Sequence, residues 1–222
     1  MPHRLARPRR LQPYVFVTLS FMLAAQILAY WGTRALLPFL PSHVLTGPID
    51  ARIPLSVPWV SVYCLSYPFW IVSALWILSD GKPLAYRVGA AYVLAMALSG
   101  AVFLLWPGTM ARPEVRGSGL FAWMLRLVYR LDSPTNLCPS LHVLISYFCA
   151  RGALAARRIP RWYKAFSLIF CLLVCCSVLF VKQHTFIDVP AGLLMGELCL
   201  QIARIGRLER VGNALEGHFR KE

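Results

Sequence analysis

The chain has 222 residues, of which 58% are hydrophobic and only 14% charged, with a net charge of +14. Soluble domains carry about 25% charged residues, so this composition excludes a wholly water-facing surface, and apolar runs of about 20 residues recur as crossing roughly 30 Å of hydrocarbon requires. A basic excess also marks nucleic-acid binders, but here the lysines and arginines gather between apolar runs, where such charges fix loops on the cytoplasmic side; no nucleic-acid partner is expected.

In chain order, residues 1–12 read as a basic cytoplasmic tail holding Arg4, Arg7, Arg9 and Arg10. The run near Tyr14–Ala35 is too long for a signal-peptide core and lacks a small-residue cleavage site, so it reads as a retained anchor. A proline-rich connection, roughly Leu37–Pro58, leads to apolar segments near Trp59–Ser79 and Tyr86–Trp106. Residues 107–139 form a loop in which Gly117–Asp132 interleaves Leu120, Phe121, Met124, Leu125, Leu127 and Val128 with Arg126 and Arg130. That pattern suits an amphipathic helix lying on a membrane surface. Segments near Ser140–Leu154, Tyr163–Val181 and Thr185–Ile205 follow, then a basic tail, 206–222. The fourth run is short, and Arg151 within it is expected to snorkel. The sequence thus predicts an all-α fold: a six-transmembrane-helix bundle forming one membrane domain over 1–222. Its oligomeric state is not legible.

Five of the seven cysteines (Cys149, Cys171, Cys175, Cys176 and Cys199) lie inside apolar runs, where cysteine behaves as a small hydrophobe. The spacing matches no zinc site. Cys64 and Cys138 fall nearer one membrane face and are expected to stay unpaired. With the N-terminus in the cytoplasm and six alternating spans, sixteen of the 23 basic residues fall on the cytoplasmic side. The positive-inside rule then puts both termini in the cytoplasm, with the plasma (inner) membrane as the expected location.

On that topology two polar strings share the exoplasmic face: Pro139-Ser140-Leu141-His142, and His184 followed four residues on by Asp188. Ionisable residues at a membrane boundary are costly and by default functional. Pro139 suits the first turn of a helix, which places Ser140 and His142 at a positive helix end able to cradle phosphate. His184 and Asp188 share one face if the last helix already begins there. A carboxylate bonded to one imidazole nitrogen leaves the other free as a nucleophile. Two histidines and a carboxylate are a sufficient kit for passing a phosphoryl group through a covalent histidine. The plainer alternative is that both histidines are polar caps. Glu197, deeper along the last run, reads as a protonated acid bonded to another span; Asp132, Asn136, Asp50 and Arg52 read as loop-shaping residues.

The two strings, their order and the six-run layout resemble the type 2 phosphatidic acid phosphatase superfamily, which includes vanadium haloperoxidases and some sphingolipid synthases. The family's P-S-G-H motif appears as Pro139-Ser140-Leu141-His142; its S-R-x5-H-x3-D motif is matched by Ser177, His184 and Asp188; its K-x6-R-P motif is matched only by Arg112-Pro113. The resemblance implies that His184 attacks phosphorus, Asp188 orients it, His142 protonates the departing oxygen, and Arg112 and Ser140 hold phosphate oxygens. It implies a phosphate-containing lipid as substrate and neither metal nor cofactor, since phosphoryl transfer asks mainly for positioning and charge stabilisation. Leu105 and Val178 stand where the family has lysine and arginine. Arg116, Arg130 and Lys182 are candidate replacements, Lys182 being nearest His184 in sequence. Gln183-His184-Thr185-Phe186-Ile187-Asp188 is similar to the inositol phosphorylceramide and sphingomyelin synthase branch, which also lacks that arginine. Hydrolysis and headgroup transfer therefore both stay open, beside a zinc hydrolase using His142, His184 and Asp188 as ligands and a transporter or scramblase without chemistry.

Overall fold

The computed structural model describes residues 12–205, so the basic tails fall outside the described residues except for Gln12. The first helical stretch, Pro13–Phe39, is continuous but not uniform. Pro13 opens α1 (Pro13–Ile27), where its missing N–H costs nothing. A π-turn at Leu28–Gly32 leads into α2 (Thr33–Leu36), and the hydroxyl of Thr33 donates back to the carbonyl of Ala29 at 2.6 Å. The next connection carries a two-residue strand, β1 (His43–Val44), and a short helix, α3 (Pro48–Arg52). Then come α4 (Val60–Leu78) and α5 (Lys82–Leu105). Strand β2 (Gly108–Thr109) pairs in parallel with β1, His43 opposite Gly108 and Val44 opposite Thr109. The remaining helices are α6 (Leu120–Leu131), α7 (Leu141–Ala155), α8 (Arg161–Phe180) and α9 (Asp188–Ile205).

Among the described residues the fold is all-α apart from that one short pairing. Four stretches among the described residues are long and apolar enough to cross a membrane: Pro13–Phe39, Val57–Leu78, Lys82–Leu105 and Arg161–Phe180. The expected fourth and sixth runs do not reach that standard. α7 has 15 residues, about 22 Å at 1.5 Å per residue, and α9 carries Asp188, Glu197 and Arg204 within its 18 residues. α7 sits inside the bundle, packed on α8, α4 and α9, whereas α9 packs on α5 and α7 with its other face outward. Ile169 and Leu172 of α8, with Leu194 and Leu198 of α9, stay exposed on the outside, as expected of side chains facing hydrocarbon. The apolar helices make this a membrane protein.

Helix association in lipid depends on close packing rather than on expulsion of water. One glycine sets the geometry of the site: a Cβ at Gly192 would lie 2.9 Å from the carbonyl oxygen of Ser140. The start of α9 is thereby drawn against the start of α7. A charged contact joins the same helices lower down. Glu197 accepts hydrogen bonds from the Tyr147 hydroxyl, from Arg151 Nε and Nη2 at 3.1 and 3.3 Å, and from Gln201. Glu197 does reach another helix, but as the partner of a guanidinium rather than as a lone protonated acid, and Arg151 pairs within the bundle instead of simply snorkelling.

The connections gather at two ends. At one, the turn after α4 meets the turn after α7: the Asp80 carboxylate accepts from the backbone N–H groups of Arg157 and Arg158 at 2.9 and 2.7 Å. At the other, β1 joins β2, the N–H of Ser56 donates to the carbonyl of Phe180 at 2.9 Å, and the N–H of Phe186 donates to Asp50 Oδ1 at 2.7 Å. The amphipathic helix expected within 117–132 is α6. It buries Ala122 and Leu125 while Leu120, Phe121, Trp123, Leu127 and Leu131 stay exposed. Both histidine strings lie at this second end.

Candidate functional site

The Pro-Ser-Leu-His string builds a helix start, two residues later than a first-turn proline suggests. Ser140, not Pro139, is the cap: α7 begins at Leu141, and Ser140 Oγ accepts from the N–H of Val143 at 3.4 Å. Serine is favoured there because its side-chain oxygen satisfies a first-turn donor that has no partner in the helix. The N–H of Ser140 donates to the carbonyl of Asp188 at 3.1 Å, which ties the beginnings of α7 and α9 together. His142 follows in the first turn, near the positive end of the helix.

His184 and Asp188 are not on a common helix, as their spacing suggested, because α9 starts only at Asp188. A folded-back turn brings them together instead. Val178 closes it, its carbonyl accepting from the N–H groups of Gln183 and His184 at 3.0 and 3.1 Å, and Lys182 takes a positive φ of 53°. His184 is 8% exposed and Asp188 fully buried. His184 Nδ1 lies 3.0 Å from the carbonyl of Leu137 and 3.3 Å from Asp188 Oδ2. Both neighbours are acceptors, so Nδ1 carries the proton and Nε2 presents its lone pair. Asp188 Oδ2 is itself held by the N–H of Thr185 at 2.7 Å.

The two histidine rings stand 6.1 Å apart, centre to centre. His142 is stacked on Tyr63 at 4.2 Å and bounded by Tyr67 and Trp70 at 5.6 and 5.1 Å. Those three residues share one face of α4, being four and three residues apart. His142 Nε2 is 3.3 Å from the Tyr67 hydroxyl. This aromatic wall was not foreseen; its signal was the placing of three polar-tipped rings at helical spacing within an apolar run.

Arg112 enters from the loop. Its guanidinium donates to the carbonyl of Asp132 and to the amide oxygen of Gln183, and lies 4.8 Å over the ring of Tyr129. Burial lowers its pKa from the usual arginine value, against the opposing charge of Asp132. Gln183 is 2% exposed. Four polar atoms around His184 are buried without a hydrogen-bond partner among the described residues: Arg112 Nε, Gln183 Nε2, Thr185 Oγ1 and Asp188 Oδ1. Three of them are donors. Unsatisfied buried donors are costly, and a ligand rich in acceptors, such as phosphate, would satisfy them.

The other expected phosphate contacts are placed differently. Lys182 gives its ammonium to the carbonyls of Asp50 and Ile53, and burial lowers its pKa while Asp50 opposes that shift. Its observed partners thus belong to the first connection rather than to the histidines. Arg130 and Arg116 are exposed. The neutral residues at the two missing cation positions are accommodated, Leu105 being 85% exposed and Val178 buried behind the turn. Asp132 does shape the loop, but also accepts from the hydroxyls of Tyr30 and Tyr63. Asp50, expected only to shape its own connection, bonds both Gly47 N–H and Phe186 N–H. Among the described residues the seven cysteines are all free, and no cluster of three His, Cys, Asp or Glu side chains has the geometry to hold a metal ion.

No family model, curated protein or solved structure matches this chain.

Proposed function

We propose that this chain is a lipid phosphate phosphatase embedded in the membrane, working through a phosphohistidine. The observation that carries the reading is the held tautomer of His184: Nδ1 fixed between two acceptors, Nε2 free, and a second histidine 6.1 Å away. His184 Nε2 attacks phosphorus, and the bond to the lipid oxygen breaks as His142 protonates that oxygen. His142 then takes a proton from water, which attacks phosphorus; inorganic phosphate leaves and His184 is regenerated. Asp188 stabilises the charge that His184 gains, while Arg112 and the unpaired donors beside it neutralise the phosphoryl oxygens. None of these steps calls for a metal or cofactor.

A lipid substrate is favoured by an adjoining cavity of about 330 Å³ between α1, α4, α5 and α7, lined mainly by apolar side chains such as Leu19, Met22, Ile71 and Phe148. Tyr67 and Trp70 border both this cavity and His142. The second reading is transfer of a lipid headgroup phosphate to an alcohol instead of water. It is favoured by the string Gln183 to Asp188, in which an amide held by Arg112 stands beside the nucleophile and no arginine occupies position 178. On either reading the six apolar runs alternate across the plasma (inner) membrane, with termini cytoplasmic and the site exoplasmic, as the distribution of basic residues favours.

Purified protein in lipid vesicles, offered phosphatidic acid or a lipid diphosphate with and without an alcohol acceptor, tests the reading. Released inorganic phosphate is expected, and a new phosphodiester would select the transferase instead. Activity lost with EDTA and restored by zinc would overturn the phosphohistidine mechanism, and lipid movement without turnover of any phosphate ester would leave a transporter or scramblase. Cysteine labels at positions 116 and 158 are expected to react from opposite sides of a sealed membrane.

A further inference from the structure

A polar side chain on a membrane-crossing helix is costly unless bonded, and by default it is functional. Gln26 is such a residue. It stands at the middle of the Pro13–Phe39 stretch and lines the apolar cavity beside His142. Tyr92 of α5 lines the same cavity and donates its hydroxyl proton to Gln26 Oε1 at 2.5 Å. The amide nitrogen of Gln26 has no hydrogen-bond partner among the described residues. We propose that Gln26, held by Tyr92, is a specificity-determining residue that donates to an acceptor on the lipid just below its phosphate, an ester or amide carbonyl or a hydroxyl. This rests on the phosphoryl-transfer reading above.

The orientation of the amide follows from chemistry. Tyr92 is buried and its hydroxyl is bonded to Gln26. A buried O–H needs an acceptor, which an amide oxygen is and an NH₂ group is not. With the oxygen committed to Tyr92, the two N–H donors form the free end of the side chain. The other polar groups on the cavity wall are spent. Trp70 Nε1–H is given to Ser146 Oγ at 2.9 Å, and the Tyr67 hydroxyl stands 3.3 Å from His142 Nε2. Apart from the weak thiol of Cys149, the Gln26 amide is the polar group on that wall with capacity left for a ligand.

Depth assigns the acceptor. Gln26 is four residues before Tyr30, about 6 Å at 1.5 Å per residue, and Tyr30 is bonded to Asp132 at the site's own level. Leu19, with Leu78 and Val88, lines the cavity a further seven residues back, about 10 Å on the same rise. The wall therefore offers aromatic rings beside His142, then one amide, then hydrocarbon. A glycerolipid or sphingolipid phosphate has the matching order: phosphate, a carbonyl or hydroxyl a few bonds below it, then chain. A phosphate on a plain alkyl or isoprenoid chain lacks the middle group and would leave the amide unpaired, which is the means by which a polar pocket rejects an analogue.

The test measures kcat/KM of wild type, Gln26→Leu and Tyr92→Phe in vesicles carrying phosphatidic acid, ceramide phosphate or hexadecyl phosphate. The first offers ester carbonyls, the second an amide carbonyl and a hydroxyl, the third no acceptor below the phosphate. Gln26→Leu is expected to lose about 10-fold on a lipid with the acceptor, the scale of one hydrogen bond, and far less on hexadecyl phosphate. Whichever of the first two lipids shows the loss names the acceptor. Tyr92→Phe releases the amide from its anchor and should shift the same ratio in the same direction by a smaller factor. Equal losses on all three lipids would make Gln26 a packing residue and overturn the inference. If Gln26→Leu fails to fold, Tyr92→Phe decides: an unshifted ratio overturns the inference. Should His184→Ala keep wild-type turnover on every lipid, it is the parent reading that falls.

Discussion

Two polar clusters join α7 to α9, and they are satisfied in opposite ways. Around Glu197 both carboxylate oxygens are bonded, by Tyr147, Arg151 and Gln201. Around His184, four buried polar atoms have no partner among the described residues. A polar group placed among apolar helices is expensive unless paired. The first cluster meets that demand from within the protein and so holds helices together; the second leaves capacity unused, and that capacity suits an anionic ligand. Polarity alone would not have separated them, because both contain charged residues on the same pair of helices.

Mutation should separate the clusters most sharply. His184→Ala is expected to abolish turnover and phosphoenzyme formation while changing the melting temperature little. Glu197→Ala should do the reverse, leaving Arg151 unpaired and lowering stability by about 1–3 kcal/mol, short of the roughly 3–5 kcal/mol for a wholly buried pair. The smaller figure reflects side chains 41% and 33% exposed, for which solvent screens the pair. Thermal melts and turnover in the same detergent would check both. If Glu197→Ala loses activity while keeping its fold, the contrast fails.

The contrast extends to the cations. Arg112→Ala removes charge-assisted bonds in the site and should weaken orthovanadate binding about 10–100-fold, from roughly 1.5–3 kcal/mol for hydrogen bonds to a charged group. Lys182→Ala, whose ammonium is already engaged by two carbonyls, should leave vanadate affinity within about twofold of wild type on the same scale. Calorimetric titration of both variants would rank them.

The smallest effect reports on the charge of Asp188. Burial, and after it the carboxylate of Asp188, pushes the Cys138 thiol up to about 11. The thiolate is the reactive form, so alkylation at Cys138 should be slow near neutrality and rise steeply toward that pH. Asp188→Asn removes one of the two causes, so the thiol should ionise at lower pH and label a few times faster at pH ~9. Unchanged labelling would mean that Asp188 is not ionised. The other cysteines are replaced by serine for this measurement.

Helix positions and the amphipathic segment were legible because apolar run length and periodicity are local properties. His142, His184 and Asp188 were legible as charged or polar residues at the edges of such runs, and the structure brings them together. The manner of their meeting was not. Spacing suggested a shared helix face for His184 and Asp188, whereas the turn depends on Val178 and Leu137 carbonyls, which every residue type supplies. Lys182 was sequence-adjacent to His184, but its positive φ and its carbonyl partners belong to long-range packing. Tyr63, Gln183 and Asp50 were hidden for a related reason: their roles depend on partners at least 69 residues away along the chain.

That dependence on distant partners gives the site an order of assembly. The turn bearing His184 leans on Asp50 from the first connection, on Arg112 and Leu137 from the loop, and on Val178 just before it. These four precede it in the sequence and Asp188 follows it, so a ribosome delivers His184 after most of its supports are made. A nascent chain halted before residue 184 holds these supports without the histidine, and the candidate site is complete only when the start of α9 packs against the start of α7.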